Sequence, residues 1–173
     1  MEISGEILLG LLVAVAAVID IRFRRIPNWL VLAGAAAGLA WNLYSGGLSG
    51  LGRAAAGLGL GFVLYFPLFL LRALRGGDVK LLAAAGAIAG PGNIFLIFLL
   101  TSILGGIIAF FYALSRGRLR QTIFNVSWIV RDLLTFKAPY KSSEELDVAT
   151  TGGLRLPHAP LMAAGVIAFI LMT

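Results

Sequence analysis

Two carboxylates in this chain stand where carboxylates are costly. Asp20 ends a long apolar stretch, in Val18-Ile19-Asp20-Ile21-Arg22, and Asp78 opens another, in Arg75-Gly76-Gly77-Asp78-Val79-Lys80. The other acids lie near the amino terminus or in polar stretches. A carboxylate at the edge of lipid is expensive and usually faces the interior of a helix bundle or a watery cavity. Two that meet share a proton, because both cannot ionise cheaply at close range. The ionised one can then take a proton from water while the protonated one polarises a carbonyl. That is the chemistry of an aspartic protease, and it needs neither metal nor cofactor, so none is expected. The composition fits this reading. There is no cysteine, which excludes disulfides, thiolate zinc sites and cysteine nucleophiles. A single histidine excludes a multi-histidine metal site.

The elements that must position these acids follow from composition. The chain of 173 residues is expected to form one domain, residues 1–173. It is 60% apolar and 13% charged, against about 45–50% and about 25% for a soluble domain. With a mean hydropathy of +0.96, the expected solvent is lipid. Six apolar stretches run Ile7–Ile19, Trp29–Tyr44, Ala54–Leu71, Val79–Gly90, Ile94–Leu114 and Pro160–Met172. The predicted fold class is all-α, a polytopic membrane protein of about six transmembrane helices. Several stretches are shorter than the roughly 20 residues of a spanning helix, so local thinning or partial insertion is expected. Glu2 and Glu6 flank the first stretch, which therefore does not read as a signal peptide.

The basic residues orient the bundle. All but one of the 14 fall in alternate connections, and Arg53 is the exception. The net charge of +6 thus reads as a positive-inside bias rather than a nucleic-acid surface, and no nucleic-acid partner is expected. It predicts a multi-pass protein of the cytoplasmic membrane, with both termini outside. Asp20 and Asp78 then share a depth at the cytoplasmic face and can meet. The long cytoplasmic loop, about residues 115–157, is predicted to hold an amphipathic helix at Gln121–Phe136, with Ile123, Val126, Val130 and Leu133 on one face. Polar, turn-rich Lys141–Gly153 follows, and its Glu144, Glu145 and Asp147 could attract a basic substrate segment.

Other residues have roles beside the acids. Gly76 and Gly77 permit a close approach of backbone to a peptide. Pro27-Asn28 reads as a turn and helix start, with substrate contact as the alternative. Lys80 and Arg22 lie two residues from an aspartate and point off its face, as snorkelling anchors. Gly57 and Gly61 form a small-xxx-small pair suited to close helix packing. His158 reads as an interfacial loop residue. Asp20 lies at a helix carboxyl end and Asp78 at an amino end, so helix dipoles alone would place the negative charge on Asp78 and the shared proton on Asp20.

Asp20 is followed by basic residues and Ile26-Pro27-Asn28. Gly76-Gly77-Asp78-Val79-Lys80-Leu81 is followed by three alanines and then Gly90-Pro91, and Leu156-Pro157-His158-Ala159-Pro160 opens the last apolar stretch. In order and spacing these resemble the type IV prepilin peptidase family, membrane aspartic peptidases with a GxGD motif. The first motif glycine is Arg75 here, and an arginine beside the pair would favour an ionised carboxylate. The resemblance implies cleavage of a leader peptide from pilin-like precursors, with Asp20 and Asp78 as catalytic residues. It is to the short, peptidase-only forms of Flp (tight-adherence) pilus systems or to archaeal preflagellin peptidases. The expected partners are a pilin-like precursor and the bilayer, with a homo-oligomer possible. Two other readings stand beside it: an inactive pilus-assembly scaffold, and a small proton-coupled transporter.

Overall fold

The computed structural model describes residues 3–70, 74–115 and 158–172. The expected amphipathic helix at Gln121–Phe136, and Glu144, Glu145 and Asp147, lie outside the described residues. Those described form α1 (Ile3–Phe23), α2 (Asn28–Leu70), α3 (Gly76–Ala89), α4 (Pro91–Ser115) and α5 (His158–Met172). The five helices hold the six apolar stretches because α2 carries two of them. Gly47, with φ 58° and ψ −148°, interrupts the helical backbone of α2. Only glycine adopts that region without strain. Gly50 then lies so close to the Asn42 carbonyl that a Cβ there would overlap its oxygen.

The two limbs of α2 run in opposite directions along α3. On the first limb, Asn28 meets Lys80 and Gly38 meets Ile88. On the second, Gly57 meets Gly86, Gly61 meets Leu82, and Phe69 reaches Gly76. The pairing of Gly57 and Gly61 with α3 is the close packing their spacing predicts. Glycine lets the backbones approach, and packing of this kind holds membrane helices together where lipid is as apolar as the side chains. Helix α3 is thereby buried from Asp78 to Ala89 with the exception of Lys80.

The α1 face that turns inward carries Leu9, Leu12, Val13 and Ala16, and it ends in Asp20. These positions repeat at three and four residues, one face of a helix. The opposite face exposes Ile7, Leu11, Val18 and Ile21. Exposed apolar faces of this extent fit lipid rather than water. Among the described residues three helices, Ile3–Phe23, Asn28–Leu70 and Pro91–Tyr112, are long and apolar enough to cross a membrane. Helices α3 and α5, of 14 and 15 residues, are shorter than the roughly 20 required.

Asn42 clamps the far end of α3. Its Nδ2 donates to the carbonyls of Gly38 and Ala87 at 3.0 Å and of Ile88 at 3.2 Å. Asn42→Ala is expected to destabilise the protein by about 1–2 kcal/mol. Unfolding midpoints in detergent would check this, and an unchanged midpoint would contradict the clamp.

Candidate active site

Asp78 is set by the start of α3. Arg75 has an extended backbone at the amino cap of the helix, and its N–H donates to Asp78 Oδ2 at 3.1 Å. A carboxylate three residues past the cap satisfies an amide that the helix cannot. One carboxylate oxygen is thereby committed to structure. Asp20 is placed by the inward face of α1 and by α5, because the Ala159 N–H donates to its Oδ2 at 3.2 Å. Both side chains are almost excluded from solvent, at 4% for Asp20 and 6% for Asp78.

The two acids line one cavity of about 120 Å³, together with Arg25, Ile26, Arg75 and Gly77. That is room for several water molecules. The helix that brings Asp20 is α1 and the helix that brings Asp78 is α3, so 58 residues of sequence close onto one pocket. Among the described residues no group of three or more histidine, cysteine or acidic side chains could hold a metal ion.

Two features of the site lie outside the sequence reading. His158 does not stand in a loop but opens α5. Its Nε2 is 2.8 Å from the Tyr65 hydroxyl, and its ring packs edge-on against Tyr65. Tyr65 is only 2% exposed, and it also packs edge-on against Phe98 of α4. His158 and Tyr65 both interact electrostatically with Asp78. The one available signal was Pro157 ahead of an apolar run, which marks a helix start but not its neighbours. The second feature concerns helix dipoles. Asp20 accepts from the first turn of α5, so it stands at a helix amino end just as Asp78 does. The expectation that helix ends alone place the shared proton on Asp20 therefore does not hold.

The remaining candidates are distributed around this core. Gly77 lines the cavity, and a Cβ there would lie 3.3 Å from the Ile26 side chain. Gly76 faces Phe69 instead. Asn28 is exposed and accepts a hydrogen bond of 3.1 Å from Lys80 Nζ, so both residues tether α2 to α3 at the rim. Pro27 precedes α2, and its carbonyl accepts from the Val31 N–H at 3.5 Å. Neither Pro27 nor Asn28 lines the cavity.

Among the described residues, an apolar, all-helical bundle of the kind that suits a membrane holds two buried aspartates over one small cavity. A family model, the type IV leader peptidase family, matches residues 7–110, a span that includes both aspartates and more than half of the chain. The chain belongs to this family and is thus a member of a family of proteases. No curated protein and no solved structure matches the chain.

Proposed function

We propose that this protein is an aspartic endopeptidase that removes the leader peptide from type IV pilin-like precursors at the cytoplasmic face of the inner membrane. The observation that carries the reading is the pair Asp20 and Asp78, delivered by two helices to one cavity that has room for water. The pair activates a water molecule, which attacks the scissile carbonyl directly. The carboxylate takes the proton of the water and the carboxylic acid donates to the carbonyl oxygen. General acid–base catalysis then returns a proton to the leaving amine, with no acyl-enzyme. The precursor's apolar helix lies in the membrane with its scissile bond at the interface. The six apolar limbs act as six crossings, with both termini outside and the basic connections inside.

The test is the mass of a co-expressed Flp-type pilin precursor. A leader-sized loss with the wild type, absent with Asp20→Asn and with Asp78→Asn at equal membrane levels, is the expected result. Cleavage that survives both substitutions would show that the aspartate pair is not the catalyst and would overturn the reading, whereas a wild type that never cleaves would favour a scaffold or a transporter. Glu144, Glu145 and Asp147 are proposed to attract the basic leader. Reversing all three charges is expected to raise KM at low salt, with the effect fading at an ionic strength of about 1 M, where the screening length is about 3 Å. Unchanged kinetics at low salt would remove that role.

A further inference from the structure

Arg75 does more than begin α3. Its Nη1 donates to the backbone carbonyl of Arg24, 51 residues away in sequence. Arg24 lies one residue beyond the end of α1 and has φ 53°, a left-handed conformation rare for a side-chain-bearing residue. That turn is itself fixed, because the Arg24 N–H donates to the Asp20 carbonyl at 2.8 Å. The backbone N–H of Arg75 donates to Asp78 Oδ2 at 3.1 Å. A continuous run of three hydrogen bonds thus leads from the backbone of Asp20, through Arg24 and Arg75, to the carboxylate of Asp78. The Arg75 side chain is the link between the two helix ends, and it lines the cavity the two acids share.

We propose that Arg75 is a positioning residue for the aspartate pair, its guanidinium strapping the first turn of α3 to the turn that ends α1. The strap gives the left-handed residue at position 24 a use, because its carbonyl accepts from the guanidinium. It also gives position 75 of this chain a use for a long cationic side chain. An arginine is suited to the task because it remains charged, and a charged donor forms a stronger hydrogen bond to a carbonyl than a neutral one.

This inference rests on the peptidase reading for its kinetic arm and on geometry alone for the other. Arg75→Met keeps an unbranched stem of about the length of arginine's aliphatic portion but removes the donor, and Arg75→Lys keeps a charged donor. Small misplacement of reacting groups is costly while remote substrate binding is untouched. Arg75→Met should therefore lower kcat by roughly 10²-fold, with KM within about twofold of the wild type. Arg75→Lys should recover most of the loss. The second arm uses the absence of native cysteine. Nitroxide labels on Ile21→Cys and Lys80→Cys, both exposed positions, report the spacing of the two helix ends by pulsed electron resonance. The distance distribution should be narrow in the arginine and lysine forms and broad in the methionine form. An unchanged kcat in Arg75→Met, a lost kcat with a distribution that stays narrow, or no recovery with lysine would each overturn the strap. If the wild type cleaves no precursor, the peptidase reading fails and the distance arm alone decides.

Discussion

Asp78→Asn is expected to leave a folded, membrane-inserted protein whose cleavage of the precursor is slowed at least 10²-fold and up to about 10⁴-fold. The asparagine amide keeps an oxygen that can accept the Arg75 N–H, so the cap of α3 survives. What disappears is the proton exchange of the acid pair. An alanine would mix two effects, because losing a cap costs about 1 kcal/mol by itself. The same logic covers Asp20→Asn, whose oxygen can still accept the Ala159 N–H. The two substitutions should not be additive, because the pair acts as a unit. The double variant should therefore be no slower than the more damaged single. Precursor processing rates, normalised to membrane-resident protein, measure this. A double variant slower by the product of the two single effects would mean that the aspartates act independently.

The second large effect is on folding. Gly86→Leu is expected to prevent accumulation of folded protein, and Gly57→Ala to destabilise it strongly. A Cβ at either position meets a backbone carbonyl of the opposing helix, oxygen against carbon. Overpacking usually costs about 1–3 kcal/mol, and that range assumes side chains that can move aside. Backbone inside a buried helix has less freedom, so the upper end or beyond is expected. Gly59→Ala provides the contrast. Nothing lies within 4 Å of a Cβ there, and alanine is favoured over glycine in a helix by about 1 kcal/mol. Thermal midpoints in detergent should fall for Gly57→Ala and hold or rise for Gly59→Ala. Equal behaviour of the two would contradict the tight seam between α2 and α3.

Much of this architecture could be read along the chain. The apolar stretches, the placement of Asp20 and Asp78 at helix ends and the small-xxx-small spacing of Gly57 and Gly61 are local patterns, and local patterns survive folding. The bend at Gly47 was half legible. A polar, glycine-rich break between two apolar stretches marks a turn, but not that helix continues to within a residue of it on both sides. What the sequence did not disclose is which residues meet at long range. Arg75 reaches Arg24, Ala159 caps onto Asp20, and His158 bonds Tyr65 across 93 residues. Periodicity assigns a residue to a face of its helix, but the neighbour opposite that face is set by packing of the whole bundle. The central position of α3 was hidden for a related reason. Its alanines and glycine give a modest hydropathy, yet small side chains are what allow a helix to be enclosed on all sides.

The brevity of α3 bears on the lipid around it. Fourteen residues rise about 21 Å, some 9 Å less than a hydrocarbon core of about 30 Å. Because α3 is enclosed by the limbs of α2 together with α1, α4 and α5, acyl chains meet those helices and not the one that carries Asp78. A helix anchored at its far end by Asn42 would hold Asp78 below the headgroups of a thick leaflet, and nearer to them in a thin one. On the peptidase reading, longer acyl chains would lengthen the descent that both water and the scissile bond must make to reach the acid pair.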